Sequence, residues 1–319
     1  MKILLTGTRG QLGRELHRQL PMLGEILALD RTACDLSRPE RIPKLIGDFK
    51  PDIIVNAAAY TAVDQAEEEE ALATTINATA VGVMAEQAKK HNALLLHYST
   101  DYVFDGTKHE PYTEEDMPNP INAYGRGKLA GEEAIRHSGC EHLIVRTSWV
   151  YSIHGNNFLN TMLGLMKERE QLSVVNDQQG APTSVDLITS TTLEMLKAWI
   201  HDRQQGGARE ANTYHLTAAG QTTWYGFAEQ IRTLFNQLQP RSVLKTKHIS
   251  PVTTEQYQTP ANRPRYSRLC CDKLKNRYCL QMPDWLVELE TVMSILQNDC
   301  KNQNDRKDRN DCKEHLREV

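Results

Sequence analysis

Five strand-length runs in the first half of the chain, at residues 3–6, 26–30, 53–56, 94–99 and 143–147, are apolar almost throughout. They show no alternation of polar and apolar residues, so each strand is expected to be covered on both faces. Between them, residues 11–20, 39–49, 64–91 and 123–137 mix polar and apolar positions at helical spacing. Strand and helix alternating in this order build a parallel sheet joined by right-handed crossovers. The expected fold is therefore α/β, a doubly wound parallel sheet, with any ligand in the crevice at the C-terminal ends of the strands.

The chain has 319 residues, too many for one small module. After Trp149 the pattern loosens into a helix at 157–170, a strand at 172–175, a helix at 187–201, a strand at 214–216 and a helix at 224–238, with an ordinary turn at 204–207. The expected division is a dinucleotide-binding domain over 1–150 and a smaller, mainly substrate-binding lobe over 151–297, some of whose segments return to the main sheet. Residues 298–319 lack apolar periodicity and are expected to form a disordered polar tail.

The first strand runs into Gly7-Thr8-Arg9-Gly10-Gln11-Leu12-Gly13, and a helical stretch follows at once. Glycines in such a turn let the backbone approach a pyrophosphate, while the N–H groups at the next helix's start stabilise its charge. A glycine-rich turn alone often does no more than close a strand onto a helix; its place on the first strand-to-helix turn favours phosphate binding. Asp30, at the end of the second strand, stands where a dinucleotide-binding unit puts a carboxylate on the adenosine ribose. Its neighbour Arg31 can pair with the 2′-phosphate of NADPH, so use of both NADPH and NADH is expected.

Tyr124 and Lys128 are four residues apart at the start of a predicted helix, which puts both on one face. An ammonium beside a phenol is expected to lower its pKa and make it a usable proton donor. Many helices carry this spacing as a surface pair, so the context decides. Thr100 ends the strand 94–99, where an open α/β sheet binds ligands, and its hydroxyl can hold a carbonyl that Tyr124 protonates. Arg263 lies in a neutral stretch before Pro264, and a guanidinium there suits a diphosphate. Asn157 reads first as a helix cap.

These motifs, with Val55 to Asp64, Ser99 to Gly106, Arg146 to Tyr151, Val175 to Thr183, Arg263-Pro264 and Ser267-Arg268-Leu269, resemble the extended short-chain dehydrogenase/reductases with a Rossmann-type sheet. Within them they are similar to the dTDP-4-dehydrorhamnose reductase family over most of the chain. The resemblance implies that Thr100, Tyr124 and Lys128 are catalytic in reducing C4 of dTDP-4-dehydro-L-rhamnose. It implies a cofactor site made of Gly7, Gly10, Gln11, Leu12, Gly13, Asp30, Arg31, Asp35, Leu36, Asn56, Ala57, Ala58 and Ala59 together with Tyr124 and Lys128. For the sugar nucleotide it implies Thr61, Thr100, Asp101, Tyr102, Trp149, Asn157 and Arg263, with Asp177-Gln178 shaping the pocket. Some members are magnesium-linked dimers held by glutamates, and Glu15 matches one such position; the resemblance thus leaves a homodimer and magnesium open, with no further ligand assigned.

The formal charge of −4 comes from 37 basic and 41 acidic residues, so no broad cationic field draws the chain to nucleic acid or anionic lipid. The apolar opening stops at Thr6-Gly7, no segment has the length of a bilayer span, and the 7 cysteines show no metal-binding spacing. A cytoplasmic protein with reduced thiols is expected. The acidic run Glu67 to Glu70 reads as a solvated helix face. Two other readings fit the same motifs: a reductase or epimerase of a different nucleotide 4-keto sugar, and a dinucleotide-binding regulatory subunit resembling the β subunit of methionine adenosyltransferase.

Overall fold

The apolar runs form one open sheet in the computed structural model, which describes residues 1–207, 210–239 and 243–298. Its strands are β1 (Lys2–Thr6), β2 (Glu25–Leu29), β3 (Ile53–Asn56), β4 (Leu94–Thr100), β5 (Glu141–Thr147) and, much later in the chain, β10 (Ala211–His215). They lie in the order β10-β5-β4-β3-β1-β2 and every neighbouring pair is parallel. From β1 the chain moves outward to β2 and then returns to place β3 on the other side of β1. The crevice of a doubly wound sheet therefore opens between the ends of β1 and β3.

Alternate residues of each strand enter different cores. Ile3, Leu5, Val55, Leu96 and Val145 pack with Leu16 and Leu20 on one face, whereas Leu4, Ile54, Leu95 and Ile144 pack with Ile46, Met84 and Ile135 on the other. Burying each such side chain contributes roughly 1.5–3 kcal/mol, which explains why the runs tolerate no polar interruption. The first face is covered by α1 (Gln11–Gln19), the 3₁₀ turn Leu20–Met22 beyond it and the long α8 (Val185–Gln204); the second by α2 (Ile42–Phe49), α5 (Ala80–His91) and α6 (Ala123–Ser138).

The stretch expected as one helix over 64–91 is divided into α3 (Val63–Ala66), α4 (Glu70–Thr74), a π-helical turn at Thr75–Thr79 and α5. The wide turn brings the buried Asn77 against the chain after β3, where its side chain accepts from Tyr60 N at 2.9 Å and donates to Tyr60 O at 3.0 Å. Beyond β5 come β6 (Val150–Tyr151), α7 (Phe158–Glu168), β7 (Gln171–Val175), β8 (Gln179–Gly180), β9 (Thr183–Ser184), β11 (Thr222–Thr223), α9 (Trp224–Leu238), β12 (His248–Val252) and α10 (Asp272–Tyr278). The expected strand 214–216 is β10, shifted toward the N-terminus. β12, which contains Pro251 and pairs only with β7, was not expected; proline suits such an edge position.

A further helix spans 285–298, burying Trp285, Leu289, Val292 and Met293 at helical spacing. Residue 298 therefore belongs to a helix, and the rest of the expected tail lies outside the described residues. Among the described residues, no helix is long and apolar enough to cross a membrane.

Candidate active site

The glycine turn lies at the crevice between β1 and β3. A side chain on Gly13 would put its Cβ 2.1 Å from Gly7 O, so the start of α1 is held directly against the turn. Gly10 caps α1 with no side-chain hydrogen bond, leaving its first N–H groups for an anion. This close-packed turn and its uncapped helix end fit a pyrophosphate. Gln11 joins the turn to the chain after β6: its amide donates to Val150 O at 3.3 Å and accepts from Ser152 Oγ and Asn157 Nδ2, each at 3.2 Å. Leu12 packs on the first core, and Ala57 and Ala58 are half-buried at the end of β3, followed by Ala59 and the exposed Thr61.

At the end of β2, Asp30 accepts from Thr32 N and Ala33 N at 2.9 and 3.0 Å through Oδ1 and pairs with Arg9 at 2.7 Å through Oδ2. Arg31 is 80% exposed and stands 4.0 Å from Asp35, whose carboxylate also accepts from Ser37. Leu36 is buried in the second core, so its side chain faces hydrocarbon and only its backbone is free to face a cofactor.

Tyr124 and Lys128 project from the first turns of α6. Asn122 caps this helix, accepting from Gly125 N at 2.8 Å, and a Cβ on Gly125 would stand 2.1 Å from Tyr102 O. The close approach seats Tyr124 beside Thr100 at the end of β4 and edge-on to Tyr102, with ring centroids 6.0 Å apart. Burial pushes the Tyr124 phenol up to about 12, with the Thr100 hydrogen bond opposing and the Asp101 charge adding to the rise. The expected lowering by Lys128 is not found. The amino group of Lys128 donates to Tyr98 O at 2.6 Å and meets His97 Nε2 at 3.1 Å, so its polar contacts run down into the sheet. Burial lowers Lys128 to about 8, with Glu132 opposing.

Thr100 Oγ1 donates to Asp101 Oδ1 at 3.0 Å and accepts from Tyr102 N at 3.1 Å. Asp101 is buried, and desolvation pushes its carboxyl up to about 7 against hydrogen bonds from Ser267 and Thr100. One turn beyond Lys128, Glu132 binds Arg146 through two hydrogen bonds of 2.8 and 2.7 Å. Burial alone would raise this carboxyl, but Arg146 holds it below the usual carboxylate range.

The acidic run corrects a second expectation. Glu67 accepts from Ala123 N at 2.8 Å, Glu69 from the Tyr60 hydroxyl at 2.7 Å, and Glu70 from Arg126 Nε at 2.8 Å. Three of the four acids thus tie the α3–α4 segment to α6 or to the loop after β3, Glu67 by meeting one of the unsatisfied N–H groups with which α6 begins. No spacing in the sequence links residues so far apart.

Arg263 is bound within the protein: Nη2 pairs with Asp64 Oδ2 at 2.7 Å, while Asp64 Oδ1 accepts from Ala261 N at 3.2 Å. Its guanidinium also reaches Tyr102 and borders a cavity of about 1070 Å³ lined by Asp105, Lys108, Gln179, Arg265 and Tyr266 among others. Gln178 donates to Thr254 Oγ1, and Asp177 accepts from the same residue. Trp149 adopts a left-handed backbone conformation with φ of 48° and stacks on Trp224 at 3.6 Å. Trp224, on which no sequence motif falls, is its main ring partner. Asn157 caps α7 and contacts Gln11, so the structure brings it to the glycine turn. Glu15 is paired with Arg18 and Gln19.

Fold and helix start together define a Rossmann-type, nicotinamide-dependent oxidoreductase of the short-chain class. The chain belongs to the dTDP-4-dehydrorhamnose reductase family: the pattern described as RmlD substrate binding domain matches residues 1–298. It is 47% identical over 285 residues to the dTDP-4-dehydrorhamnose reductase of Burkholderia thailandensis, covering 89% of this chain and 95% of that one. It is 43% identical to the Escherichia coli K12 enzyme of the same name, over 93% of this chain and 98% of that one. Among solved structures, the dTDP-4-dehydrorhamnose reductase of Bacillus anthracis in complex with NADP superposes with a TM-score of 0.82 at 38% identity, covering 91% of this chain and 98% of that one.

Proposed function

We propose that this chain reduces the C4 keto group of dTDP-4-dehydro-L-rhamnose to give dTDP-L-rhamnose, using NADPH or NADH. The observation that carries the reading is the Tyr124 phenol set beside the Thr100 hydroxyl at the end of β4, with Lys128 one turn further along α6. A bound reduced nicotinamide supplies the hydride that adds to C4. The carbonyl π pair moves to oxygen, and Tyr124 hands that oxygen its proton; with its phenol pushed up to about 12, Tyr124 carries that proton at neutral pH. Thr100 orients the carbonyl by turning toward it the hydroxyl proton that it otherwise gives to Asp101.

In this reading Gly7, Gly10, Gln11, Leu12 and Gly13 bind the pyrophosphate, Asp30, Arg31, Asp35 and Leu36 the adenosine end, and Asn56 to Ala59 with Lys128 the rest of the dinucleotide. Thr61, Asp101, Tyr102 and Trp149 face the sugar, and Arg263 exchanges Asp64 for the diphosphate. Asn157 acts through Gln11 as well as toward the substrate. Residues 1–150 then serve mainly the dinucleotide and 151–297 mainly the sugar nucleotide. A homodimer fits the family resemblance, while Glu15 already has Arg18 and Gln19 as partners, and the reading takes no step through magnesium.

The test is consumption of reduced nicotinamide by the purified protein with dTDP-4-dehydro-L-rhamnose, beside Tyr124→Phe. Rapid turnover that falls roughly 10²–10⁴-fold in the variant, with dinucleotide binding retained, is expected. Dinucleotide binding without turnover by the wild type would favour another nucleotide 4-keto sugar or the regulatory-subunit reading.

A further inference from the structure

Across the last rungs of the apolar sheet runs one row of polar side chains. Thr6, Asn56 and His97 are register partners on the adjacent strands β1, β3 and β4. All three are buried: Thr6 and Asn56 are each 1% exposed and His97 0%. Thr6 Oγ1 donates to Asn56 Oδ1 at 2.7 Å, Asn56 Nδ2 meets His97 Nδ1 at 3.0 Å, and His97 Nε2 meets Lys128 Nζ at 3.1 Å. The row therefore links the strand that enters the glycine turn to the lysine of α6.

Donor and acceptor counting fixes the protons in this row. Asn56 Oδ1 also accepts from Ala58 N at 3.2 Å, and a backbone N–H can only donate. The amide cannot be turned around, so Asn56 Nδ2 is the atom facing His97 and it donates to Nδ1. A neutral imidazole has one lone pair, now used at Nδ1, and its hydrogen is on Nε2. His97 Nε2–H then points at Lys128 Nζ. An ammonium there would bring two donors together, whereas a neutral amine accepts from Nε2–H and still donates to Tyr98 O.

We propose that His97 is a positioning residue whose Nε2–H favours the neutral-amine form of Lys128 against the sheet, so that Lys128 gains basicity on leaving His97 for a ligand in the crevice. The charged groups around the row do not reverse this. From α6, Glu132 faces Lys128, but Arg146 of β5 and Arg136 of α6 already hold its carboxylate. From β1 and β3 come only Thr6 and Asn56, which are uncharged. Burial lowers the basicity of both His97 and Lys128, and the Lys128 charge adds to the lowering at His97.

The inference rests on the reading that gives Lys128 a role in the crevice, but its test needs neither substrate nor dinucleotide. In wild-type protein labelled with ¹⁵N-histidine, long-range proton–nitrogen correlation should show His97 with a bare Nδ1 and a protonated Nε2, unchanged as the solution is acidified through the ordinary histidine range. A protonated Nδ1 would overturn the proposal. In protein labelled with ¹³C-lysine, the Lys128 resonance is identified by its loss in Lys128→Met and titrated. His97→Gln offers Lys128 a side-chain oxygen in place of Nε2–H and should raise the pH of its titration by about one unit. An unchanged or lowered titration in folded His97→Gln would also overturn it, and if that variant does not fold the tautomer decides alone. Failure of turnover with intact His97 results would count against the substrate reading and leave this one standing.

Discussion

The two ends of the crevice are built in opposite ways. Around Thr100, Tyr124 and Lys128 the polar groups are buried or half-buried and bonded to one another, so charges there act in a low dielectric. At the end of β2, Arg9 and Arg31 are 78% and 80% exposed, and their attraction to a ligand is weakened by water and salt. One end is suited to moving a proton; the other can tune which dinucleotide is held but contributes little energy per residue.

Substitutions can break or sharpen this contrast, and Tyr124→Phe, with its loss of turnover and unchanged dinucleotide affinity, should give the largest effect. Asp101 comes next. Its folded pKa of about 7 stands above the ordinary value, so its contribution to stability is fully present below the unfolded pKa and is lost as pH rises through 7. Thermal unfolding between pH 4 and 8 should show the wild type losing on the order of a few kcal/mol relative to Asp101→Asn. A parallel pH dependence in the two proteins would mean that the carboxyl stays ionised.

Gly13→Ala forces a carbon into the 2.1 Å gap to Gly7 O and should weaken dinucleotide binding by about 10–100-fold, at a stability cost of about 1–3 kcal/mol. Titration of intrinsic fluorescence would detect it. Glu67→Ala leaves Ala123 N without its carboxylate and should cost about 1 kcal/mol in chemical denaturation. Arg31→Ala should be the mildest: preference for NADPH over NADH falls by about 2–5-fold at low salt, and by less as salt is added. A large, salt-independent loss would show that the exposed end is not solvated when occupied.

The sheet was readable because residues buried on both faces leave an unbroken apolar run, and the glycine turn and the Tyr124–Lys128 spacing were readable because each is local. Contacts between distant segments were not. Asp64 and Arg263 are nearly two hundred positions apart, and nothing in either stretch names the other. Tyr124 beside Lys128 suggested a lowered phenol, yet the direction in which Lys128 points depends on His97 and Tyr98 in another strand. The helix at 285–298 is different: Trp285, Leu289, Val292 and Met293 carry its periodicity openly.

The sheet's last strand sets the order in which the molecule can be completed. β5 ends at Thr147, but the neighbour that covers its outer edge, β10, begins only at Ala211. During synthesis the chain therefore emerges with all the strands of its first half ready to associate while one edge stays open through α7 and α8. An exposed row of N–H and C=O groups on an apolar strand is a template for pairing with another chain. Between translating β5 and translating β10, the outer edge of β5 is open to such pairing, and docking of β10 closes it.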